Sequence, residues 1–240
     1  LLHLFALSGL MFFHQNNFYW MNAFHPEVQQ FLLDMILEVV TNYDVDGIQG
    51  DDRLPAVTTT SGYDDFTVDL YKSEHGSDPP TNNMNQNWVQ WRADILSDYA
   101  EKVYKDVKAV NPECIVSWSP SAYSFSLFNY CQDWPEWVDR EVVDVLNPQL
   151  YRRENQGLAV YKDLVNYSFN LARKNSKIFF PGILLQVGGY VPSEEYIIDL
   201  VRYNREIGVM GEVYFFYEGL KIRDNAFRVL YPGKAIFPDL

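Results

Sequence analysis

The sequence contains few cysteines and few histidines. Its two cysteines, Cys114 and Cys131, are too few for a disulfide framework, although a single disulfide between them stays an alternative. The four histidines are scattered and form no H-E-x-x-H motif or comparable cluster. Asp64, Asp65 and Asp69 offer oxygen ligands for Ca²⁺, but a solvated acidic loop is the simpler interpretation. We therefore expect no metal site and no cofactor.

Several motifs and one sign of charge are also scarce. No G-x-G-x-x-G or P-loop follows an apolar strand, and no G-x-S-x-G or Cys–His motif occurs, which disfavours nucleotide binding and Ser or Cys nucleophiles. The formal net charge of −13 and the pI near 4.6 argue against nucleic acid and anionic membrane surfaces as partners. Neither class of partner is expected.

The most apolar stretch, residues 1–13, is too short to span a membrane. It also lacks the initiator methionine, the basic flank and the A-x-A site of a signal peptide. We therefore expect the chain to begin inside a longer protein.

The whole chain is 48% hydrophobic. After residue 13, its apolar and aromatic residues follow alternating helical and strand patterns. The patterns predict strands at 45–50, 114–119, 142–150, 178–186 and 211–217, with a weak further strand within 1–13. They predict helices at 26–42, 88–110, 157–174 and 193–207. Between them lie a polar connection, 51–87, with a short helix at 66–75, and an aromatic loop, 123–137.

This alternation is typical of an α/β protein with a parallel sheet. A doubly wound sheet remains open, but polar residues at every strand end favour a (β/α)8 TIM barrel, whose mouth draws on all strands. Because a full barrel needs eight strands, we expect the N-terminal strands to be missing from this chain or unrecognisable in it. We expect one barrel domain over residues 1–240, formed by five or six βα units.

The segment around Asp51 is the strongest candidate for chemistry. A short strand breaks at Gly50 into Asp51, Asp52 and Arg53, and loops after parallel strands are where α/β proteins place active sites. Strand alternation puts Gln49 and Asp51 on one side, and we expect Asp51 to point into the barrel mouth. Unless the chain kinks after Gly50, Asp52 then contacts Arg53 or the following loop. A solvated Asp-Asp turn with an arginine counter-ion is the structural alternative.

Several segments carry a family resemblance. Residues 19–28 (YWMNAFHPEV), residues 42–52 (NYDVDGIQGDD), residues 149–152 (QLYR) and residues 215–220 (FFYEGL) resemble, in order, the bacterial glycosyl-hydrolase-like proteins related to glycoside hydrolase family ten. The resemblance implies a (β/α)8 barrel that acts on peptidoglycan or another bacterial polysaccharide, with its first three βα units upstream of this segment. Gly50 and Arg53 depart from the family pattern, in which an aromatic residue precedes the paired acids.

Glycoside hydrolysis commonly uses two carboxyl groups that flank the scissile bond. We assign Asp51 and Glu218 to this pair, with Asp52 in reserve, and leave the acid and the base unassigned. The predicted substrate-binding residues are polar or aromatic groups near strand ends or on the long loop: Gln49, Arg53, Tyr63, Trp118, Ser119, Gln149, Tyr151, Arg152 and Gln186. The two arginines offer partners for the carboxylate of an acidic sugar.

Trp118, Tyr123, Trp134 and Trp137 could stack on sugars, but core packing is the favoured interpretation for each. The predicted function is that of a glycoside hydrolase with an oligosaccharide or polysaccharide partner and an extracytoplasmic location. Two alternatives stay open: a carbohydrate-binding protein on a degenerate barrel without turnover, and a structural or assembly role for an incomplete barrel.

Overall fold

Short parallel strands separated by helices make up the protein, which is therefore an α/β protein. We describe a computed structural model, which covers residues 13–15 and 18–236. The chain divides into two compact units, Leu1–Val116 with Tyr123–Val142, and Ser117–Ala122 with Val143–Leu240, and each is described by itself. The single barrel domain over residues 1–240 stays a prediction, and the weak strand predicted within 1–13 lies outside the described residues except for Phe13.

The secondary structure elements are numbered in chain order. The strands are β1 (Phe13–Gln15), β2 (Phe18–Trp20), β3 (Gly47–Gly50), β4 (Ile115–Trp118), β5 (Val145–Leu146), β6 (Gly182–Leu184) and β7 (Val213–Phe215). The helices are α1 (Pro26–Asn42), α2 (Asp65–His75), α3 (Gln86–Val110), α4 (Tyr123–Tyr130), α5 (Trp134–Asp139), α6 (Leu158–Leu171), α7 (Glu194–Glu206), α8 (Tyr217–Ile222) and α9 (Asp224–Leu230). A 3₁₀ turn, Glu154–Gln156, precedes α6.

The long predicted helices are confirmed, as is the short helix on the polar connection. The sequence prediction is wrong for the aromatic loop, which folds as α4 and α5; Pro135 in the first turn of α5 is a helix-start signal. The predicted strands are also too long. Pro148 and Pro181 lack the N–H groups that a longer ladder would need, so β5 stops before Pro148 and β6 starts after Pro181.

In the first unit, β3 runs beside the start of β4. The Ile115 amide donates to the Asp46 carbonyl at 2.9 Å, and a Cβ atom on Gly47 would lie 2.7 Å from the Ile115 carbonyl oxygen. Glycine at this position therefore permits the close approach of the two strands. The hairpin of β1 and β2 is antiparallel and was not predicted.

A buried arginine holds the connection between β3 and α3 in the first unit. Arg92 on α3 is fully buried, and its guanidinium donates to the carbonyls of Thr59 at 2.6 Å, Ser61 at 2.7 Å and Asn83 at 2.7 Å. It also lies over the Trp88 ring, 4.6 Å from the centroid. Burial lowers the pKa of Arg92, but the carbonyl oxygens supply the hydrogen bonds that a buried charge needs.

An apolar stripe on α1 is exposed. Phe31, Met35 and Val39 are spaced by four residues on one face and are 42%, 55% and 37% exposed. A contiguous apolar face of this kind is typical of a surface that another element covers.

In the second unit, the end of β4 pairs with β5 and β6 pairs with β7, all in parallel. Two further parallel bridges, Leu146 with Phe179 and Ser121 with Gln149, extend the pairing beyond the regular strands. The carboxyl ends of these strands therefore lie at one edge, as the parallel arrangement predicts.

Glu212, immediately before β7, belongs to a buried polar network in this unit. Its Oε2 atom accepts hydrogen bonds from the Tyr231 hydroxyl at 2.9 Å and the Tyr214 hydroxyl at 3.4 Å. Burial raises the pKa of the Glu212 carboxyl, and the Tyr231 hydrogen bond and the Arg205 charge offset only part of that effect.

Replacement of Arg92 tests its role in holding the connection. We expect Arg92→Met to lower the free energy of unfolding by about 2–4 kcal/mol, because three buried loop carbonyls lose their donor. Lys105→Met on the same helix removes an exposed cation that pairs with Glu101 and should change it by less than about 1 kcal/mol. Urea denaturation of both variants checks this, and equal effects would contradict it.

Replacement of Glu212 tests the raised pKa. A carboxyl with a raised pKa in the folded protein contributes stability below its unfolded pKa, and that contribution is lost as pH rises through the folded pKa. Glu212→Gln should therefore gain stability relative to the wild type as the pH rises from about 4 to about 8. Denaturation across this pH range measures the difference. The exposed Glu206→Gln on α7 serves as control, and a difference independent of pH would refute the assignment.

Candidate functional site

The loop after β3 presents the paired acids in two different ways. Asp51 Oδ1 accepts a hydrogen bond from the Arg53 backbone N–H at 2.8 Å, which forms a turn closed by its own side chain. Asp51 is exposed, and no described residue donates to its Oδ2 atom. Asp52 instead lies 3.8 Å from the Arg53 Nε atom, which confirms the predicted contact.

The exposure along β3 agrees with the predicted alternation. Gln49 and Asp51 are exposed, whereas Gly50 between them is buried. Gln49 and Asp51 therefore share one side of the strand end. Whether that side is a barrel mouth stays a prediction.

Arg53 lies against two aromatic rings of the first unit. Its guanidinium carbon is 5.6 Å from the centroid of Trp20 and 5.6 Å from that of Tyr130, and the two rings stack with centroids 5.7 Å apart. Cation–π attraction holds the arginine there without an ideal ion pair. Sequence reasoning missed Trp20 and Tyr130, although Trp20 stands in the family-like segment at residues 19–28.

The loop after β3 is hydrogen-bonded to the end of α4 and to Gln132 within the first unit. Val57 N–H donates to the Tyr130 carbonyl at 3.1 Å, and Thr59 N–H donates to the Asn129 carbonyl at 3.1 Å. The buried Gln132 amide adds a hydrogen bond to the Pro55 carbonyl at 3.1 Å. These bonds give the Asp51 loop a defined position relative to Tyr130.

Four predicted binding residues lie near strand ends of the second unit and take part in its packing. The Ser119 hydroxyl donates to the Asn147 carbonyl at 3.0 Å, and Gln149 Nε2 donates to the Ser119 carbonyl at 3.0 Å. Tyr151 stacks on Phe215 with centroids 5.3 Å apart. Trp118 is only 1% exposed, so its ring is packed in the interior and offers no open face to a sugar.

Arg152 and Gln186 have few hydrogen-bond partners among the described residues. The Arg152 guanidinium donates to the adjacent Tyr151 carbonyl at 2.7 Å, and no carboxylate among the described residues lies within 4.0 Å of it. Burial lowers the pKa of Arg152. Gln186 Oε1 is buried and accepts no hydrogen bond from a described residue. Both groups could therefore bind a ligand without breaking a described side-chain contact.

Glu218 is not where the sequence predicted it. β7 ends at Phe215, and Glu218 lies in the first turn of α8, where its two carboxylate oxygens accept from Lys221 Nζ at 3.2 and 3.1 Å. Its side chain is 56% exposed. Residues 211–217 have the sequence pattern of a strand, so the pattern did not indicate that α8 begins at Tyr217, directly after the short strand. That Asp51 and Glu218 act on one bond stays a prediction.

The remaining aromatic and polar candidates have structural contacts. Tyr63 is 40% exposed, as predicted, but its hydroxyl donates to the Pro80 carbonyl at 2.8 Å. Trp134 and Trp137 are fully buried, which confirms the favoured interpretation of core packing. Cys114 and Cys131 are both buried free thiols, so they form no bridge.

Asp64 has a capping role in the described structure. Its Oδ1 accepts from the Thr67 N–H at 3.1 Å, and its Oδ2 accepts from the Thr67 hydroxyl at 2.7 Å. Across residues 13–15 and 18–236, no three His, Cys, Asp or Glu side chains are grouped as a metal site. Within the same ranges, the helices are all too short or too polar to cross a membrane.

The fold resembles that of a solved glycoside hydrolase domain. The PgaB (BpsB) glycoside hydrolase domain from Bordetella bronchiseptica superposes with a TM-score of 0.69 at 15% identity, over 87% of this chain and 62% of that one. The two proteins therefore share an α/β fold. The chain belongs to the glycosyl hydrolase-like 10 family, whose model matches residues 12–178.

Curated relatives support the same family. Glycosyl hydrolase DigH of Escherichia coli O6:H1 (strain CFT073) is 24% identical over 177 residues, and that of Escherichia coli K12 is 23% identical over the same length. Each alignment covers 66% of this chain and 37% of the relative. The chain thus spans well under half the length of the curated relatives it matches.

Replacement of Arg152 separates binding from stability. Because its charge is partly desolvated without a carboxylate partner, Arg152→Met should leave the melting temperature unchanged or raise it. Glycan binding, measured by calorimetry with soluble peptidoglycan fragments, should weaken about tenfold. Arg202→Met, on the exposed side of α7, is the control and should alter neither property. A destabilised Arg152→Met protein with unchanged binding would contradict the prediction.

Proposed function

We propose that the protein is a glycoside hydrolase that cleaves peptidoglycan or another bacterial polysaccharide by carboxylate acid/base catalysis. The observation that carries the proposal is Asp51, an exposed carboxylate held by its own turn at the carboxyl end of β3. Its free Oδ2 favours Asp51 over Asp52, whose carboxylate faces Arg53. Family membership supports the reaction class.

Glu218 is proposed as the second carboxyl group. In hydrolysis, one carboxyl group donates a proton to the glycosidic oxygen as its bond to the anomeric carbon breaks. The other group either removes a proton from the attacking water or first forms a covalent bond to the anomeric carbon, which water then breaks. Gln49, Arg53, Arg152 and Gln186 are proposed to bind the sugar hydroxyl and carboxylate groups.

The finer architecture is also a proposal. In a (β/α)8 barrel, neighbouring βα units would cover the exposed apolar stripe on α1 and the exposed face of β3. The proposed location is extracytoplasmic, since that is where the proposed polysaccharide substrates lie.

One observation favours the alternative of a carbohydrate-binding protein without turnover. The Glu218 carboxylate is exposed and paired with Lys221 on the same helix, which is the arrangement of an ordinary surface ion pair. Under this alternative, Glu218 would not contribute to a reaction.

Conservative replacement of each acid tests the enzyme. We expect Asp51→Asn and Glu218→Gln each to lower kcat by about 100-fold or more on purified peptidoglycan, measured by new reducing ends, because an amide cannot transfer the proton. Glycan binding should remain. Asp44→Asn, an exposed acid before β3, is the matched control and should keep wild-type turnover.

The variants separate the rival interpretations. Wild-type protein that binds glycans and never releases reducing ends would support the binding protein. Loss of turnover in Asp52→Asn with full activity in Asp51→Asn would transfer the role to Asp52. Full activity in Glu218→Gln would remove Glu218 from the mechanism.

A further inference from the structure

A polar and aromatic cavity lies in the first unit beside the loop that carries Asp51. It has a volume of about 340 Å³ and is called here the aromatic cavity. Its lining includes Trp20, Phe125, Tyr130, Thr60, Asn83 and Asn129. This volume is in the range of small-ligand sites and is large enough for a pyranose ring.

One aromatic side chain of this cavity, Phe125, is exposed. Phe125 is 51% exposed although it belongs to α4, and its ring meets Tyr130 edge-on, with centroids 5.6 Å apart. Tyr130 in turn stacks on Trp20. An exposed phenyl ring next to two further rings offers an apolar face, which the C–H groups of a sugar ring can cover.

The polar groups of the cavity are amides and hydroxyls. The Asn83 backbone carbonyl is used by Arg92, but its side-chain amide makes no hydrogen bond to a described residue. Asn129 donates through Nδ2 to the Phe125 carbonyl at 3.0 Å, and its Oδ1 accepts no hydrogen bond from a described residue. Neutral donors and acceptors beside aromatic rings suit a hydroxyl-rich, uncharged ligand better than an anion or a lipid chain.

The aromatic cavity adjoins the proposed reaction site through shared side chains. Trp20 and Tyr130 line the cavity, and the guanidinium of Arg53 lies over both rings. Arg53 is two residues from Asp51, and its backbone N–H donates a hydrogen bond to Asp51 Oδ1. The rings of Trp20 and Tyr130 would therefore separate a ligand in the cavity from Arg53 on the Asp51 loop.

We propose that the aromatic cavity is an accessory subsite that binds one uncharged sugar ring of a longer glycan, with Phe125 as its stacking surface and Asn83 as its hydrogen-bonding group. This inference rests on the proposed function, because the glycan that occupies the subsite is the chain that Asp51 acts on. It implies a preference for oligosaccharides over single sugars.

Calorimetry with N-acetylglucosamine oligosaccharides of one to about six units tests the subsite in the Asp51→Asn background. This variant is used because the amide should not support cleavage of the ligand. Affinity should rise with length, and Phe125→Ala and Asn83→Ala should each weaken binding of the longest oligomer about tenfold. Neither change removes a described side-chain hydrogen bond, so both variants should fold. Tyr167→Ala on α6, an aromatic residue 46% exposed in the second unit, is the matched control and should bind as the parent does.

The outcomes distinguish the subsite from the catalytic proposal. Oligomer binding that falls in Phe125→Ala and Asn83→Ala supports the subsite even if wild-type protein cleaves nothing. Cleavage by wild-type protein together with unchanged affinity in both variants overturns the subsite and leaves the enzyme standing. Failure of every oligomer to bind the parent also overturns it.

Discussion

The first unit depends on the buried charge of Arg92. Its guanidinium is the donor for carbonyls at Thr59, Ser61 and Asn83, in a segment that has few apolar side chains of its own. Carbonyl groups removed from water need such a donor, and a planar guanidinium can serve several at once. The connection between β3 and α3 therefore keeps one conformation although its sequence resembles a solvated loop.

That constraint extends to the proposed site. With residues 59–61 held by Arg92, Val57 and Thr59 can donate to the carbonyls of Tyr130 and Asn129. The same contacts position the Tyr130 ring against Trp20 and Arg53. The acids after β3 are thus carried by a loop whose later residues are hydrogen-bonded to Arg92 and to α4. These contacts support the proposed role of Asp51, because a catalytic group needs supporting contacts to keep its geometry.

Arg92 in the first unit and Arg152 in the second unit have different hydrogen-bond partners. Arg92 is buried and fully provided with acceptors, as a structural cation should be. Arg152 is partly buried with one carbonyl acceptor and no described carboxylate partner, in a chain with 32 acidic residues. This partly buried charge supports the proposal that Arg152 binds a ligand carrying acceptor oxygens.

Periodicity in the sequence was sufficient to predict the long helices and the order of the predicted strands. This is because the burial of one helix face, or of one strand, depends on the local spacing of apolar residues. The motif around Asp51 also located the acid loop and the Asp52–Arg53 contact, which follow from strand alternation over a few residues. Only the tertiary structure decided that Glu218 lies on a helix, that Trp118 is interior, and that Trp20, Phe125 and Tyr130 come together around a cavity. Those outcomes depend on contacts between residues far apart in the chain, and local spacing carries no information about which distant side chains will meet.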